Sequence, residues 1–461
     1  MSHRTLLIGI ALAAILARIV TFSLISPPTG GTARYYESVA ESLLRGDGFN
    51  YYPYVLLDRN MRIPKTFENI PKKLEDIGVD MSSDTRYAIR APLYRYPPAY
   101  PIFLAAAHFV FGPSPVAVVV LQILLNGLAA ALVYRIAWLI FEVKSLAAAA
   151  GAAAALWPFT LVNSLSYEPT ALLYVTVISA VWSMMEYRLT GRAGYFLLSA
   201  LASGISAMLR TDALFASFGL AAALLLSTGG WMNRVKACGG FLLITAAVMS
   251  PWLIRNAVVY QRFVPLSCGL GVNLVIGIGK YIPESGFPTH DRAMIVEEYG
   301  QDHVNSAMYT DDGCYPAGVE REEERVNRAK AYIRGHVWEF AGSCVRRLPD
   351  LLFVGGQTVQ KRVGSGQGGW RALVGLGLTW VEPLAVCLAV AGFWRLRRRW
   401  AILSPVSWSI VLYIIGHAPM WVEPRYFKPV WPLVLVLTVG AFYCGKKFDT
   451  KLDITKPVNL N

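Results

Sequence analysis

Residues 5–25 read TLLIGIALAAILARIVTFSLI, an apolar run in which Arg18 is the sole charged residue. Apolar runs of about 18 or more residues are typical of helices that cross a membrane. This run is too long for the apolar part of a signal peptide, and it shows no clear small-residue cleavage pattern. The stretch therefore predicts a transmembrane helix.

Similar runs recur along the 461 residues, of which 55% are hydrophobic and only 16% are charged. Soluble domains usually carry about 25% charged residues, so this composition argues against an ordinary soluble protein. The sequence predicts an all-α polytopic membrane protein with about ten transmembrane helices, interfacial helices and long outer loops. The predicted spans are residues 5–25, 114–138, 145–163, 169–187, 195–211, 213–228, 237–256, 370–393, 401–417 and 427–444.

The formal net charge of +13 is explained by orientation and not by nucleic-acid binding, because the basic residues lie at alternate ends of the predicted spans. Short loops rich in lysine and arginine mark the cytoplasmic side. This rule places both termini inside and residues 27–98 and 259–369 outside. The basic residues at these junctions are Arg135, Lys144, Arg188, Arg192, Arg234, Lys236, Arg395, Arg397–Arg399, Lys446, Lys447 and Lys451.

The predicted organisation has three parts. Residues 1–258 form a transmembrane region that includes the first outer loop, 27–98. Residues 259–369 form a small extracytoplasmic region, and residues 370–461 form C-terminal transmembrane helices with a cytoplasmic tail. We expect a multi-pass protein of the plasma (inner) membrane with its active site facing outside.

Several shorter features need their own interpretation. Ala99–Gly112 is apolar but only about 14 residues long, and residues 338–356 mix charged and aromatic side chains, so both predict helices along the outer surface. Glycines at 269, 271, 277 and 279 predict a loop. Glu382-Pro383 lies inside the eighth span. It is either a functional intramembrane carboxylate or a helix break that Glu382 caps.

Unusual polar residues gather at the outer ends of the spans. They include Glu168, Arg210, Arg255 and the pair Arg425-Tyr426. The arginine fork binds phosphate oxygens in a bidentate way, so three arginines on one side suit a lipid-linked phosphate at the membrane surface. The alternative is that these arginines and their tryptophan neighbours are only interface anchors.

The order of short motifs resembles the glycosyltransferase C superfamily, whose members use dolichyl- or polyprenyl-phosphate sugars. Protein O-mannosyltransferases and the lipid A aminoarabinose transferase are the relatives in question. The resemblance extends over nearly the whole chain. It rests on residues 34–49 (RYYESVAESLLRGDGF), 96–101 (YPPAYP), the segment of Arg210, 251–256 (PWLIRN), 271–274 (GVNL) and 425–432 (RYFKPVWP). This resemblance implies substrate-binding roles for Arg210, Arg255, Arg425, Tyr426, Tyr36 and Asn273.

One departure concerns the catalytic base. The family's aspartate is expected four residues before Tyr36, where this chain has Thr32. A transferase needs a carboxylate within hydrogen-bond distance of the acceptor hydroxyl. The candidates on the outer side are Asp84, Glu168, Glu37 and Asp58. Asp84 is favoured, because it lies in the extra segment before the Pro-Pro motif.

Three functions remain open from the sequence. The leading one is a transferase that moves a sugar from a polyprenyl-phosphate donor to an acceptor glycan, lipid or protein. The others are a lipid or solute transporter or flippase, and a non-catalytic subunit that binds a lipid-linked glycan. A transporter needs polar residues along a path through the membrane, whereas here they concentrate at the outer ends. Expected partners are the lipid-linked sugar and membrane lipid, with no nucleic acid. The cofactor is unknown, and a divalent metal is left open.

The topology can be tested by cysteine labelling in a cysteine-free background. A cysteine at position 290 should react with an impermeant thiol reagent in intact cells, because the charge rule places it outside. A cysteine at position 397 should react only after the cells are permeabilised. The reverse pattern would invert the topology.

Overall fold

The computed structural model of the protein describes residues 1–24, 31–52, 91–93, 95–299, 317–353, 370–422 and 424–444. Over these residues the chain is helical, apart from a two-stranded antiparallel ribbon. The predicted all-α polytopic class is confirmed. The helices are α1 (His3–Leu24), α2 (Gly31–Leu44), α3 (Ala99–Phe111), α4 (Pro115–Phe141), α5 (Lys144–Leu156), α6 (Pro158–Ser164), α7 (Thr170–Thr190), α8 (Ala193–Leu209), α9 (Leu214–Leu225), α10 (Trp231–Tyr260), α11 (Leu270–Tyr281), α12 (Asp291–Tyr299), α13 (Ala317–Gly335), α14 (Val337–Phe353), α15 (Trp370–Leu396), α16 (Trp400–His417), α17 (Pro424–Phe427) and α18 (Trp431–Gly440).

Short 3-10 turns join several of these helices, at Thr211–Ala213, Pro283–Ser285, Arg397–Arg399 and Lys428–Val430. The ribbon pairs β1 (Asn50–Tyr51) with β2 (Ala91–Pro92), so that Asn50 lies opposite Pro92 and Tyr51 opposite Ala91. It therefore joins the two ends of the first predicted outer loop.

Five helical stretches are long and apolar enough to cross a membrane. They are His3–Leu24, Pro115–Phe141, Thr170–Thr190, Trp231–Tyr260 and the continuous stretch Trp380–His417. Each of the other predicted spans contains shorter apolar helices, and the third is divided at Trp157. Trp157 is extended because Pro158 follows it, and proline disfavours a helical residue before it. The count of ten crossings stays a prediction.

Local sequence explains where the long helices begin and end. The Ser114 hydroxyl accepts a hydrogen bond from the backbone N–H of Ala117, and Pro115 occupies the first turn of α4. Glu142 caps the C-terminal end of α4, and Gly191 caps that of α7. The backbone of each capping residue is in the left-handed conformation.

The structure changes two interpretations. Helix α15 continues through Pro383, so the predicted break there is wrong, and Glu382 is a buried mid-helix residue. The predicted glycine loop at 269–279 is also wrong, because residues 270–281 form α11. Its glycines lie where other backbone comes close. A Cβ at Gly277 would lie 2.8 Å from the backbone nitrogen of Trp421, and one at Gly279 would lie 2.3 Å from the carbonyl oxygen of Phe287.

Helix α11 organises the described part of the second outer segment. It packs against α13 and the first turn of α14 around a small apolar core of Leu274, Val275, Ile278, Phe287 and Ala329. Beyond this core, α14 exposes Trp338 and Val345. The predicted helix at 338–356 is thus present as Val337–Phe353. The three-part division of the chain stays a prediction.

Small residues let the apolar helices approach closely, as is usual in membrane proteins. A Cβ at Gly219 of α9 would lie 2.5 Å from the backbone of Ser409 in α16. A Cβ at Gly204 of α8 would lie 2.6 Å from Val248 in α10.

The contact at Gly219 can be tested by Gly219→Ala. The added methyl group should force α9 and α16 apart and cost about 1–3 kcal/mol, because backbone cannot move aside as a side chain can. We expect a clearly lower Tm for the purified protein in detergent. Gly239→Ala is the matched control, since a Cβ there meets no atom within 4 Å. Equal melting of both variants would contradict the close approach.

Candidate active site

The residue pair Arg210 and Asp212 forms an ion pair in the turn between α8 and α9. Arg210 leaves the helical conformation (φ −152°, ψ 127°), and its side chain turns back towards Asp212. Its Nε and Nη2 atoms donate to the two carboxylate oxygens at 3.1 and 2.6 Å. Such a bidentate pair fixes both groups in one plane.

Two groups from the end of α16 bind the same carboxylate. The Tyr413 hydroxyl donates to Oδ2 of Asp212 at 3.0 Å, and Nε2 of His417 lies 3.1 Å from the same oxygen. Burial acts to raise the pKa of Asp212, but Arg210 and these two partners hold it well below its usual range. The carboxylate is therefore ionised.

Aromatic rings surround this pair. The Arg210 guanidinium lies 5.2 Å from the centroid of the Tyr426 ring, and His417 stacks on Tyr413 at 4.5 Å. Two of the predicted substrate-binding residues, Arg210 and Tyr426, are thus brought together from distant parts of the chain. The side chain of Arg425 lies outside the described part. We call Arg210, Asp212, Tyr413, His417 and Tyr426 the arginine cluster.

A second group of polar residues lies where α2, α3 and the start of α7 meet. Nε2 of His108 lies 2.8 Å from the Tyr167 hydroxyl. Burial raises the pKa of Tyr167, and the charge of Glu37 raises it further. Burial lowers the pKa of His108, and the charge of Glu37 opposes that change. The charge of Glu37 therefore acts on both side chains.

Glu168, in the loop before α7, interacts electrostatically with Tyr100 of α3. Burial raises the pKa of Tyr100, and Tyr167, Tyr36 and Glu168 add to the increase. The rings of Tyr36 and Tyr100 meet edge to face at 5.0 Å. The charges of two of the four predicted carboxylates, Glu37 and Glu168, thus act on one group of buried aromatic side chains. The other two, Asp58 and Asp84, lie outside the described residues, as does the side chain of Thr32. We call Tyr36, Glu37, Tyr100, His108, Tyr167 and Glu168 the carboxylate cluster.

Helix α7 connects the two clusters. It begins at Thr170, two residues after Glu168, and it packs against the 3-10 turn at Lys428–Val430 that follows Tyr426. One turn into α7, Tyr174 interacts electrostatically with Arg210 and Glu382.

Sequence analysis missed the buried network behind the carboxylate cluster. The Tyr100 hydroxyl donates to Gln122 at 2.8 Å, and the Gln122 amide donates to the backbone carbonyl of Ser166 at 3.0 Å. Arg18 donates to the Ser164 hydroxyl and to the carbonyl of Ala155, each at 3.0 Å. That carbonyl loses its helical partner where Pro158 ends α5, so Arg18 supplies the missing donor. The available signal was a polar residue inside an apolar run.

Arg255 has a different environment from Arg210. Its guanidinium donates to the backbone carbonyls of Leu93 at 2.8 Å and Phe49 at 3.0 Å, and to the Tyr260 hydroxyl at 2.9 Å. It also lies 4.6 Å from the Trp252 ring centroid. These contacts hold the ribbon against α10. The predicted contact of Arg255 with substrate stays a prediction.

Asn273 and Arg347 hold the last predicted outer loop. The Asn273 side chain donates to the carbonyl of Gly269 at 2.6 Å, while its own carbonyl accepts from the backbone of Trp421 at 2.7 Å. Arg347 is fully buried and donates to the carbonyls of Gly277 at 2.9 Å and Ala418 at 3.2 Å. The amphipathic pattern of α14 gave no indication of this contact. Among the described residues, no group of three or more His, Cys, Asp or Glu side chains is placed to hold a metal ion.

Comparison with known proteins supports the resemblance. Residues 95–254 match the family model described as dolichyl-phosphate-mannose-protein mannosyltransferase. No protein of curated function matches the sequence significantly. The archaeal oligosaccharyltransferase AglB from Archaeoglobus fulgidus, solved with an inhibitory peptide and a dolichol-phosphate, has a TM-score of 0.50 and is 14% identical. The match covers 95% of this chain and 50% of that one.

Two further solved structures also match the chain. A second structure of the Archaeoglobus fulgidus oligosaccharyltransferase, tethered to an acceptor peptide, has a TM-score of 0.51 at 13% identity, over 95% of this chain and 49% of that one. ArnT from Cupriavidus metallidurans, bound to undecaprenyl phosphate, has a TM-score of 0.34 at 12% identity, over 87% and 77%. The chain therefore spans about half the length of the oligosaccharyltransferases that it matches.

The class expected from the sequence is a membrane glycosyltransferase of the C type. The family match and the fold shared with the oligosaccharyltransferase confirm this resemblance.

The environment of Arg255 generates a prediction. Arg255→Ala should remove one of the two donors from each of the carbonyls of Phe49 and Leu93, at a cost of about 1–3 kcal/mol. We expect faster protease cleavage within the first predicted outer loop and a lower Tm. Arg255→Lys should restore only part of the protection, because an ammonium lacks the planar fork.

Arg262→Ala is the control, since Arg262 is a partly exposed residue near the end of the same helix that reaches Glu323 at 3.2 Å. Unchanged cleavage in Arg255→Ala, together with weaker binding of undecaprenyl phosphate, would instead assign Arg255 to the donor site.

Proposed function

We propose that the protein transfers a sugar from a polyprenyl-phosphate donor to an acceptor outside the cytoplasm. The observation that carries this proposal is that one helix, α7, links the arginine cluster and the carboxylate cluster. Arg210 lies in one, Glu37 and Glu168 lie in the other, and α7 with the Lys428–Val430 turn joins them.

The chemistry divides between these clusters. In an inverting transfer, the acceptor oxygen attacks the anomeric carbon of the sugar while the bond from that carbon to the phosphate oxygen breaks. The acceptor proton passes to a carboxylate, and polyprenyl phosphate leaves as an anion. A guanidinium stabilises the charge that develops on the leaving phosphate, because it donates two hydrogen bonds in a fixed geometry.

Glu37 is our choice for the proton acceptor. Sequence position favoured Asp84, whereas the charge of Glu37 acts on both His108 and Tyr167, which are buried and hydrogen-bonded to each other. The charge of Glu168 acts on Tyr100, and we assign Glu168 to orienting the acceptor hydroxyl. Low-polarity surroundings strengthen both interactions.

The donor class rests on the resemblance to polyprenyl-phosphate-dependent enzymes and on the arginine at the membrane surface. A dolichol-phosphate is bound in the structure of AglB. The acceptor side follows from the charge rule, which places both clusters at the outer face of the plasma (inner) membrane. The acceptor is a glycan, a lipid or a protein.

Substituting the four carboxylates one at a time tests the proposal. Glu37→Gln should lower the turnover of donor by roughly 10²–10⁴-fold while donor binding is kept, because the amide cannot accept the proton. Glu168→Gln should have a smaller effect. Asp84→Asn and Asp58→Asn complete the series.

Glu41→Gln is the matched control. Glu41 lies one turn further along α2 and pairs with Arg45 at 3.2 Å. Normal turnover in both Glu37→Gln and Glu168→Gln would remove the base from the carboxylate cluster, and normal turnover in all four variants would exclude every candidate base. Binding of donor without any turnover by the unaltered protein would favour a non-catalytic subunit that holds a lipid-linked glycan.

A further inference from the structure

His417 makes hydrogen bonds at both of its ring nitrogens. Nδ1 lies 2.8 Å from the carbonyl oxygen of Tyr413, and Nε2 lies 3.1 Å from Oδ2 of Asp212. A backbone carbonyl only accepts hydrogen bonds, so Nδ1 must carry a proton. A neutral imidazole has one N–H, which would leave the lone pair of Nε2 facing a carboxylate oxygen.

Asp212 cannot resolve this conflict by holding the proton itself. The Arg210 guanidinium donates to both of its oxygens, and the Tyr413 hydroxyl donates to Oδ2. These donors hold Asp212 ionised, so it has no proton to give to Nε2. A hydrogen bond between Nε2 and Oδ2 then needs a second proton on His417.

We propose that His417 is a doubly protonated imidazolium that offsets the charge of Asp212, so that Arg210 keeps its capacity to bind the carrier phosphate. This inference rests on the proposed function, and it names a positioning residue for the same donor site. An ionised carboxylate held by Arg210 alone would cancel the guanidinium charge. A second cation on the same oxygen leaves one positive charge among these three groups.

Exposure separates the roles of the two cations. The side chains of Arg210 and Asp212 are each 16% exposed, whereas that of His417 is 3% exposed. Of the two cations, Arg210 is therefore the one open to a phosphate, and His417 acts through Asp212. The ring of His417 is enclosed by Tyr413 of its own helix, Phe215 of α9, and Tyr426 of α17. Further away, Tyr174 of α7 connects this cluster with the charges of Arg18 and Glu382.

The protonation state is directly measurable by solid-state NMR. The full-length protein in lipid bilayers is labelled with ¹⁵N on histidine and ¹³C on the carbonyl of tyrosine. The ring of His417 is identified by the coupling of its Nδ1 to the Tyr413 carbonyl, which does not depend on a variant. We expect protons on both ring nitrogens at neutral pH. A single protonated nitrogen would overturn the inference.

A binding measurement tests the consequence of that charge. Undecaprenyl phosphate is titrated into the purified wild type, His417→Gln and His336→Gln. The glutamine at 417 keeps hydrogen-bonding groups but removes the charge, so binding should weaken on the order of tenfold. His336 is the matched control, because it is an exposed histidine that stacks on Tyr332 in the outer segment.

The outcomes separate this inference from the proposed function. If the wild type does not bind undecaprenyl phosphate at all, the proposed donor class fails. If the wild type binds it and His417→Gln binds equally well, only the role of His417 fails. Should His417→Gln not fold, the NMR measurement on the wild type still decides the protonation state.

Discussion

The hydrocarbon interior of a membrane offers no water to hydrogen-bond a polar group, and the rest of this structure depends on that constraint. It forces the apolar runs into helices, and any backbone carbonyl that is buried away from water needs a donor in the same way. Among the arginines that donate to backbone carbonyls are Arg18 at the end of α5, Arg255 at the ribbon, and Arg347 beside α11. Each holds segments together at a place where regular backbone pairing ends.

Arg210 obeys the same constraint in another way. It pairs with a carboxylate that also receives a tyrosine hydroxyl and a histidine ring. A guanidinium bound to carbonyl oxygens has no anionic partner that an incoming anion could replace. A guanidinium paired with a shared carboxylate can change its hydrogen-bond partners when another anion arrives. This difference separates the arginines that build the outer face from the one best placed to bind a ligand.

The apolar runs and the lysine and arginine bias were sufficient to predict the helical class and most helix positions. The motif order was sufficient to bring Arg210 and Tyr426 into one candidate site. The sequence did not reveal that Arg255 binds backbone carbonyls, because every residue carries the same backbone carbonyl and no residue type marks the acceptor. Nor did it show that α11 is a helix, because its glycines serve close contact with other backbone and not a turn. The roles of Gln122 and His417 became clear only from hydrogen-bond partners that lie far away in the sequence.

The ribbon of Asn50–Tyr51 and Ala91–Pro92 encloses residues 53–90 between two fixed points. Its ends are fixed to α10 through Arg255, and closing a longer loop between fixed ends costs little extra free energy. Insertions or deletions between the two strands would therefore leave the positions of α2 and α3 unchanged.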